Sequence, residues 1–457
     1  MNIHAYYVTI PKRDIDAIES ARRLRKDHIG FNLKKDLEFS TRGLESYTFS
    51  RWEPVLYDAM VVAATVEFAD KSVRRPPRGW ARGINLRIPV HDPKRWEAPA
   101  VSNALHDALG FLTGDFWTIT FVKRSGKASP PAQERLNLGI PTEAVIAYSE
   151  GMDSRAVAGI VGASLGDKLV RVRVGSNALD HPSHLGRKEP FATVPYKVKG
   201  HVSNRETSGR SRGFKFTLIS GLAAYLAEAE KIFVPESGQG SLGPALVTVS
   251  HAYPDYRNHP LFTMRMERFL AALLRTPERL EFPRIWNTKG QTLREYVDLG
   301  TGDAWMSTRS CWRNSQWISL DGKLRQCGAC AACMLRRLSV HAAGLTEKPD
   351  VYVCKDMNAP SIREAVDPRF MKCNAAFEQY ALGGVLHLDD LAAMAENDEQ
   401  AAVRRQAVLL APAMNLGADE VERRLSALLA RHALEWKNYL KDLGPNSFVR
   451  KWTRTNQ

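Results

Sequence analysis

Residues 145–174 run strand, loop, helix, strand within about thirty positions, and that pattern restricts the fold more than any other feature of the chain. VIAYS (145–149) is a short strand of the fully buried kind, AVAGIVGASLG (156–166) is helical, and KLVRVRV (168–174) is a second strand. Two strands joined through a helix lie parallel, and a parallel sheet must be covered on both faces. Residues 214–230 add an amphipathic helix and KIFVP (231–235) another strand, so the pattern repeats. The expected fold class is α/β with a parallel sheet core.

Around that core the chain divides by composition into four segments. Residues 1–124 read as an N-terminal α+β accessory domain. MNIHAYYVTIPKRD (1–14) begins as a strand followed by charge; DAMVVAATVEFA (58–69) and VSNALHDALGFL (101–112) space apolar residues as helices do; INLRIPV (84–90) and WTITFV (117–122) read as strands. Between them KSVRRPPRGWAR (71–82) is basic, and its Pro-Pro breaks any helix, so it is expected as a loop. Residues 125–140, rich in Ser, Pro and small residues, form the expected linker. Residues 141–345 hold the α/β core, and 346–457 a C-terminal helical extension. Its best helix is GADEVERRLSALLARHALEWKNYLKDLG, with Asp419 near the start and Gly444 near the end.

With 457 residues the chain suggests two or three domains. The absence of an 18-residue apolar run argues against a membrane span, and the N-terminus lacks the pattern of a secretory signal, so a cytoplasmic location is expected. Lys and Arg outnumber Asp and Glu, 64 to 50, giving a net charge of +14 that attracts anions such as nucleotides, RNA or acidic proteins. No stacking-platform pattern accompanies the charge, so direct nucleic-acid binding is not favoured.

The turn from strand to helix, Tyr148-Ser149-Glu150-Gly151-Met152-Asp153-Ser154-Arg155, is the first candidate site. Ligands of parallel α/β sheets bind at the carboxyl ends of strands, where backbone N–H groups and a helix N-terminus converge on an anion. Ser149 and Ser154 supply hydroxyls, and Gly151 allows close approach of the backbone. The Gly-Lys-Ser/Thr ending of a Walker loop is absent. A turn of this composition also occurs with no ligand.

The second candidate is a set of cysteines. Cys311 is followed after fifteen residues by Cys327, Cys330 and Cys333 in the run CGACAAC. Thiolates at C-x2-C spacing can share one tetrahedral ion, and four of them close the site, so structural zinc is expected. An iron–sulfur cluster and buried free cysteines are the alternatives. Cys354 and Cys373 are expected as small core residues.

SEGMDS (149–154) resembles the SGGxDS signature of PP-loop ATP pyrophosphatases, and further segments resemble one member family, the 7-cyano-7-deazaguanine synthase (QueC) family. YPDYR (253–257) is similar to its YPDCR; SRGFKFTLISGLAAYLAEAEKIFV (211–234) to its GRN-helix-strand element; NTKGQTLREYVDLG (287–300) to its TKAEIV segment; WMSTRSCW followed by CGACAAC to its WSCY followed by CGxCxxC. The resemblance spans about 144–345 and implies a PP-loop, HUP-like core with a zinc knuckle. It implies ATP with Mg2+ at Tyr148 to Arg155, with Asp153, Ser154, Lys289 and Arg212 acting in catalysis, and a deazapurine held by Asp255 and Arg257. It also implies ATP cleavage to AMP and pyrophosphate by a C–N ligase. Position 150 departs from the pattern: Glu stands where the family has Gly, and a carboxylate repels phosphates unless it turns away or binds Mg2+.

The added N- and C-terminal segments are similar in layout to the QueC-like proteins of anti-phage defence systems of the Qat type, which implies transfer of the activated base to an amine on a partner protein. A synthase releasing the free nitrile from ammonia, a PP-loop enzyme modifying RNA, and a non-catalytic nucleotide-binding partner are the competing expectations.

Overall fold

The computed structural model describes residues 12–19, 28–39, 53–76, 79–126, 141–175, 191–199, 206–250, 252–276, 279–312 and 318–454. Residues 1–11 of the expected N-terminal strand and 127–140 of the expected linker lie outside them. Contacts group the chain into two units: 1–145 with 170–232 and 262–280, and 146–169 with 233–261 and 281–457.

The first unit holds a four-stranded sheet of β1 (Lys12–Ile18), β2 (Ile29–Asn32), β4 (Gly83–Val90) and β5 (Phe116–Lys123), in the order β2-β1-β4-β5 and parallel throughout. GINLRIPV alternates: β4 lies between two neighbours and buries Ile84, Leu86, Ile88 and Val90 on one face, while Asn85 and Arg87 on the other are half-buried. Helix Pro54–Ser72 extends the 58–69 expectation at both ends and buries almost every side chain. Helix Pro99–Thr113 begins with Pro at its first turn and ends at Gly114, whose φ of 67° terminates it.

Among its described residues the basic segment 71–82 is a loop from Val73 onward, as expected, and two of its arginines are tied into this unit. Lys71 and Ser72 finish the helix. Arg82 is 0% exposed and bridges Asp70 (2.7 Å) and Asp115 (2.6 Å). Arg75 pairs with Asp115 at 2.8 Å and lies 3.9 Å over the Trp80 ring, whose Nε1 donates to Thr113 O at 2.7 Å. Removing one partner from such a buried set leaves an uncompensated charge, so this segment is built into the fold of its unit.

A six-stranded sheet has the order β10-β9-β6-β7-β8-β3, from β3 (Leu37–Phe39), β6 (Ala144–Ala147), β7 (Leu169–Gly175), β8 (Phe191–Val198), β9 (Lys231–Phe233) and β10 (Arg279–Glu281). β6 and β7 are neighbours joined through helix Met152–Leu165, β7 and β8 run parallel, and β3 closes the edge antiparallel to β8. The chain passes from the first unit to the second within β6, β9 and β10, so the segments following these strands belong to the second unit.

The second unit is largely helical: Lys289–Tyr296, Ala331–Ala342, Ala375–Ala393, Gln400–Met414 and Ala418–Asp442 join helix 152–165. One core gathers the four cysteines with Leu338, Phe377, Leu388, Trp436 and Phe448. Another gathers Leu242, Ile285, Leu391, Val403, Leu425 and Leu429. Helix 418–442 serves both, because Val421, Leu425, Leu428, His432, Trp436 and Tyr439 recur every three or four residues on one face. Each fully buried Leu or Phe is worth about 1.5–3 kcal/mol, so the C-terminal helices are part of this unit's core. Among the described residues no helix is long and apolar enough to cross a membrane.

Candidate active site

Strand β6 stops at Ala147 because the chain turns on its own hydroxyls. Ser149 N–H donates to Ser154 Oγ at 2.7 Å, Ser154 Oγ donates to Ala147 O at 3.2 Å, and Gly151 N–H donates to Ser149 Oγ at 3.1 Å. A Cβ at Gly151 would stand 3.2 Å from that same hydroxyl, so the tight turn favours glycine. Gly151 is also the cap of helix 152–165 and offers no side chain to the first-turn N–H groups. Those groups have no acceptor within the helix and can receive an anion. Tyr148 is buried, Arg155 half-buried, and Met152 packs against Leu293, Tyr296 and Trp305, so Met152 offers the turn its backbone alone.

Asp153, 7% exposed, is the hub. Ser237 Oγ donates to Asp153 Oδ1 at 2.9 Å, and Lys289 Nζ, from the first turn of helix 289–296, pairs with Oδ2. Glu236 lies beside them. Burial first, and then the neighbouring Asp153 carboxylate, push its carboxyl well above the usual carboxylate range. Asn258 Nδ2 donates to Glu236 Oε2 at 2.9 Å, which joins this group to the 253–257 segment. There Arg257 Nε donates to both oxygens of Asp255 at 2.9 Å, so the two expected substrate residues hold each other. Glu150, the departure from the family pattern, is paired with Arg309, whose N–H also donates to Glu150 O at 2.8 Å.

The second unit therefore brings together Ser149, Glu150, Gly151, Asp153, Ser154, Lys289, Asp255 and Arg257. Arg212 belongs to the first unit, where it opens helix Arg212–Ala227 with its guanidinium 5.2 Å over the Phe216 ring. Glu236, Ser237, Asn258 and Arg309 escaped the sequence reading. Glu236 and Ser237 follow β9 at its carboxyl end, the position that pointed to Ser149 after β6.

The four cysteine sulfurs lie within 4.8 Å of one another, and Cys327 Sγ and Cys333 Sγ are 3.8 Å apart. That is far beyond a disulfide bond and matches the edge, about 3.8 Å, of a tetrahedron with metal–sulfur distances of about 2.3 Å. The backbone closes around them. Gln326 Oε1 accepts from Ser310 N at 2.7 Å and Cys311 N at 3.1 Å, and Cys330 N–H donates to Cys327 Sγ at 3.4 Å. Gly328, at φ 82°, admits no side chain, since a Cβ would meet Cys354 O at 2.6 Å. The donor set and its spacing fit zinc with no open position. Cys354 stands outside the set in the surrounding core, where burial pushes its thiol up to about 12.

Residues 218–344 match the family model described as queuosine biosynthesis protein QueC. Over this stretch the chain is QueC-like. The QueC-like segment contains Asp255, Arg257, Lys289, Arg309 and all four cysteines, while the 149–154 loop and Arg212 precede it. The match relates the chain to PP-loop enzymes that use ATP. No curated protein and no solved structure matches the chain.

Proposed function

We propose that the chain is an ATP-dependent C–N ligase that activates the carboxylate of a 7-deazaguanine as an adenylate and passes the acyl group to an amine. One observation carries this reading: Asp153, in the turn after β6, meets Lys289 and Ser237 beside Glu236, so residues 136 positions apart assemble one polar group at a helix N-terminus. A carboxylate oxygen of the substrate attacks the α-phosphorus of ATP, the bond to the β-phosphate breaks, and pyrophosphate leaves. The amine then attacks the acyl carbon, loses a proton, and AMP departs with the former carboxylate oxygen. The first-turn N–H groups of helix 152–165 bind phosphate oxygens, and Lys289 offsets charge that develops at the α-phosphate. Asp153, with Glu236 beside it, suits Mg2+, because two adjacent carboxyl groups are the arrangement a divalent cation relieves. Arg309 holds the Glu150 carboxylate by an ion pair, which accommodates the departure at this position. The Asp255–Arg257 pair presents a planar polar edge suited to a guanine-like base. Zinc at Cys311, Cys327, Cys330 and Cys333 holds the fold.

The acceptor in this reading is an amine of a partner protein in a cytoplasmic anti-phage defence system. It is supported by the segments added to the QueC-like core and by their resemblance in layout to that branch. The test is mass spectrometry after incubation with ATP, Mg2+, 7-carboxy-7-deazaguanine and candidate partner proteins. A partner that gains the deazapurine acyl mass, with one AMP per adduct, is the expected result. A free nitrile made with ammonium and no adduct transfers the assignment to the small-molecule synthase, and ADP with phosphate overturns the PP-loop chemistry.

A further inference from the structure

Lys289 occupies the first turn of a short helix, and short helices are marginal without tertiary support. Its N-terminus carries a full capping box. Thr288 Oγ1 accepts from Gln291 N–H at 3.2 Å, while Gln291 Oε1 accepts from Thr288 N–H at 3.0 Å. The Thr288 hydroxyl has one proton, and it goes elsewhere: to Glu435 Oε1, at 2.6 Å, from helix 418–442. The Lys289 N–H is also held from outside its helix, by Gln239 Oε1 at 2.8 Å. Gln239 Nε2 faces His432 Nδ1 at 2.8 Å and Glu435 Oε2 at 3.4 Å, and His432 Nε2 donates to Leu388 O at 2.9 Å. Glu435, 9% exposed, and His432, 0% exposed, stand one turn apart on the buried face of the C-terminal helix.

We propose that Glu435 is a positioning residue for Lys289: by taking the Thr288 hydroxyl proton it turns the Thr288 oxygen toward the helix N–H, and with Gln239 it locks the turn from which Lys289 reaches Asp153. The inference rests on the reading that Lys289 serves the nucleotide. It gives the C-terminal extension a part in that reading, since an acidic residue near the end of the chain sets the geometry of a lysine 146 positions earlier. Without Glu435 the hydroxyl's remaining acceptor is Gln291 Oε1 at 3.5 Å, too long for a good hydrogen bond and competing with the cap. Other polar groups around Glu435 are the neutral Gln239 and Thr288, with His432 across Gln239 and the charges of Arg431 and His341 at longer range. Burial raises the Glu435 carboxyl to about 7, so a neutral side chain of the same shape is a fair substitute for it.

The experiment compares full-length wild type with Glu435→Ala and Glu435→Gln by amide hydrogen exchange over residues 286–296 and by AMP formation from ATP, Mg2+ and 7-carboxy-7-deazaguanine. Exchange at the 289–296 N-terminus should rise about tenfold in Glu435→Ala. kcat should fall about tenfold with KM for ATP unchanged, because geometry around a bound nucleotide is lost and binding groups are not. Glu435→Gln should restore both, since its amide oxygen still accepts from Thr288. Unchanged exchange in Glu435→Ala overturns the inference whatever the activity. A Glu435→Gln protein as perturbed as Glu435→Ala overturns it too. If exchange responds as expected but wild type forms no AMP, the ATP reading fails and the brace stands. If Glu435→Ala does not fold, Glu435→Asp against Glu435→Gln decides: faster exchange in Glu435→Asp, whose shorter side chain withdraws the acceptor from Thr288, with normal exchange in Glu435→Gln upholds the brace, and normal exchange in Glu435→Asp overturns it.

Discussion

The cysteine knuckle and the 149–154 turn sit in the same unit but are finished to different degrees. The knuckle's four ligands are buried, within 4.8 Å of one another, and knitted by Gln326 and the surrounding backbone. The turn's charges are satisfied by each other: Asp153 by Lys289, Glu150 by Arg309, Asp255 by Arg257. A closed ligand set leaves no open position, whereas charges paired with one another can exchange partners with a charged ligand. The knuckle accordingly suits a structural role, and under the proposed function the turn is where binding and chemistry take place.

The largest effect that separates them is expected at the metal. Cys330→Ser should lose zinc and destabilise the protein by several kcal/mol, because ligand binding and folding are coupled. Metal content and thermal unfolding measure it, and a folded, stable protein without zinc or iron would remove the structural role. Asp153→Asn keeps size and packing but takes away the hub carboxylate. AMP formation should fall about a hundredfold or more while zinc content is unchanged. If zinc is lost along with activity, the two regions are not separable in this way.

Strands β4, β5, β6, β7 and β9 and the helices at 54–72, 99–113, 152–165 and 418–442 were legible in the sequence, because each announces itself by local periodicity. The knuckle was legible because three of its four ligands lie within seven residues. The turn was legible as far as its own residues go. Its partners were not: Ser237 and Lys289 reach Asp153 across 84 and 136 positions, and Glu435 reaches Thr288 across 147. Nothing local distinguishes these polar residues from surface ones. Segment 71–82 was legible as a loop, but the partners of Arg82, Asp70 and Asp115, were not. β3 was missed because three residues carry no usable period.

Acid should separate the regions as well. Burial holds His387 and His432, on helices 375–393 and 418–442, down at about 4 from the usual 6.5, so the unfolded chain takes up protons in this window that the fold refuses. Their contribution to stability is therefore full above about 6.5 and is lost as pH falls toward 4. Glu435, raised to about 7, acts in the opposite sense between 4.5 and 7 and offsets part of it. The difference in unfolding free energy between wild type and His387→Gln, in which zinc's own acid sensitivity cancels, should shrink steadily from pH 6.5 to 4. A difference independent of pH would mean that His387 is protonated in the fold. The smallest effect is expected at Arg309. Arg309→Gln frees the Glu150 carboxylate beside the turn and should raise KM for ATP several-fold, with kcat and zinc content little changed; an unaltered KM would place Glu150 away from the phosphates.

The central claim is that a carboxylate oxygen attacks the α-phosphorus of ATP at the Asp153 turn, and oxygen-18 tests it most directly. With the carboxylate of 7-carboxy-7-deazaguanine labelled, wild-type protein should release AMP carrying one label for each acyl group transferred, and Asp153→Asn should release almost none. AMP formed without label, or ADP formed in its place, would contradict the account.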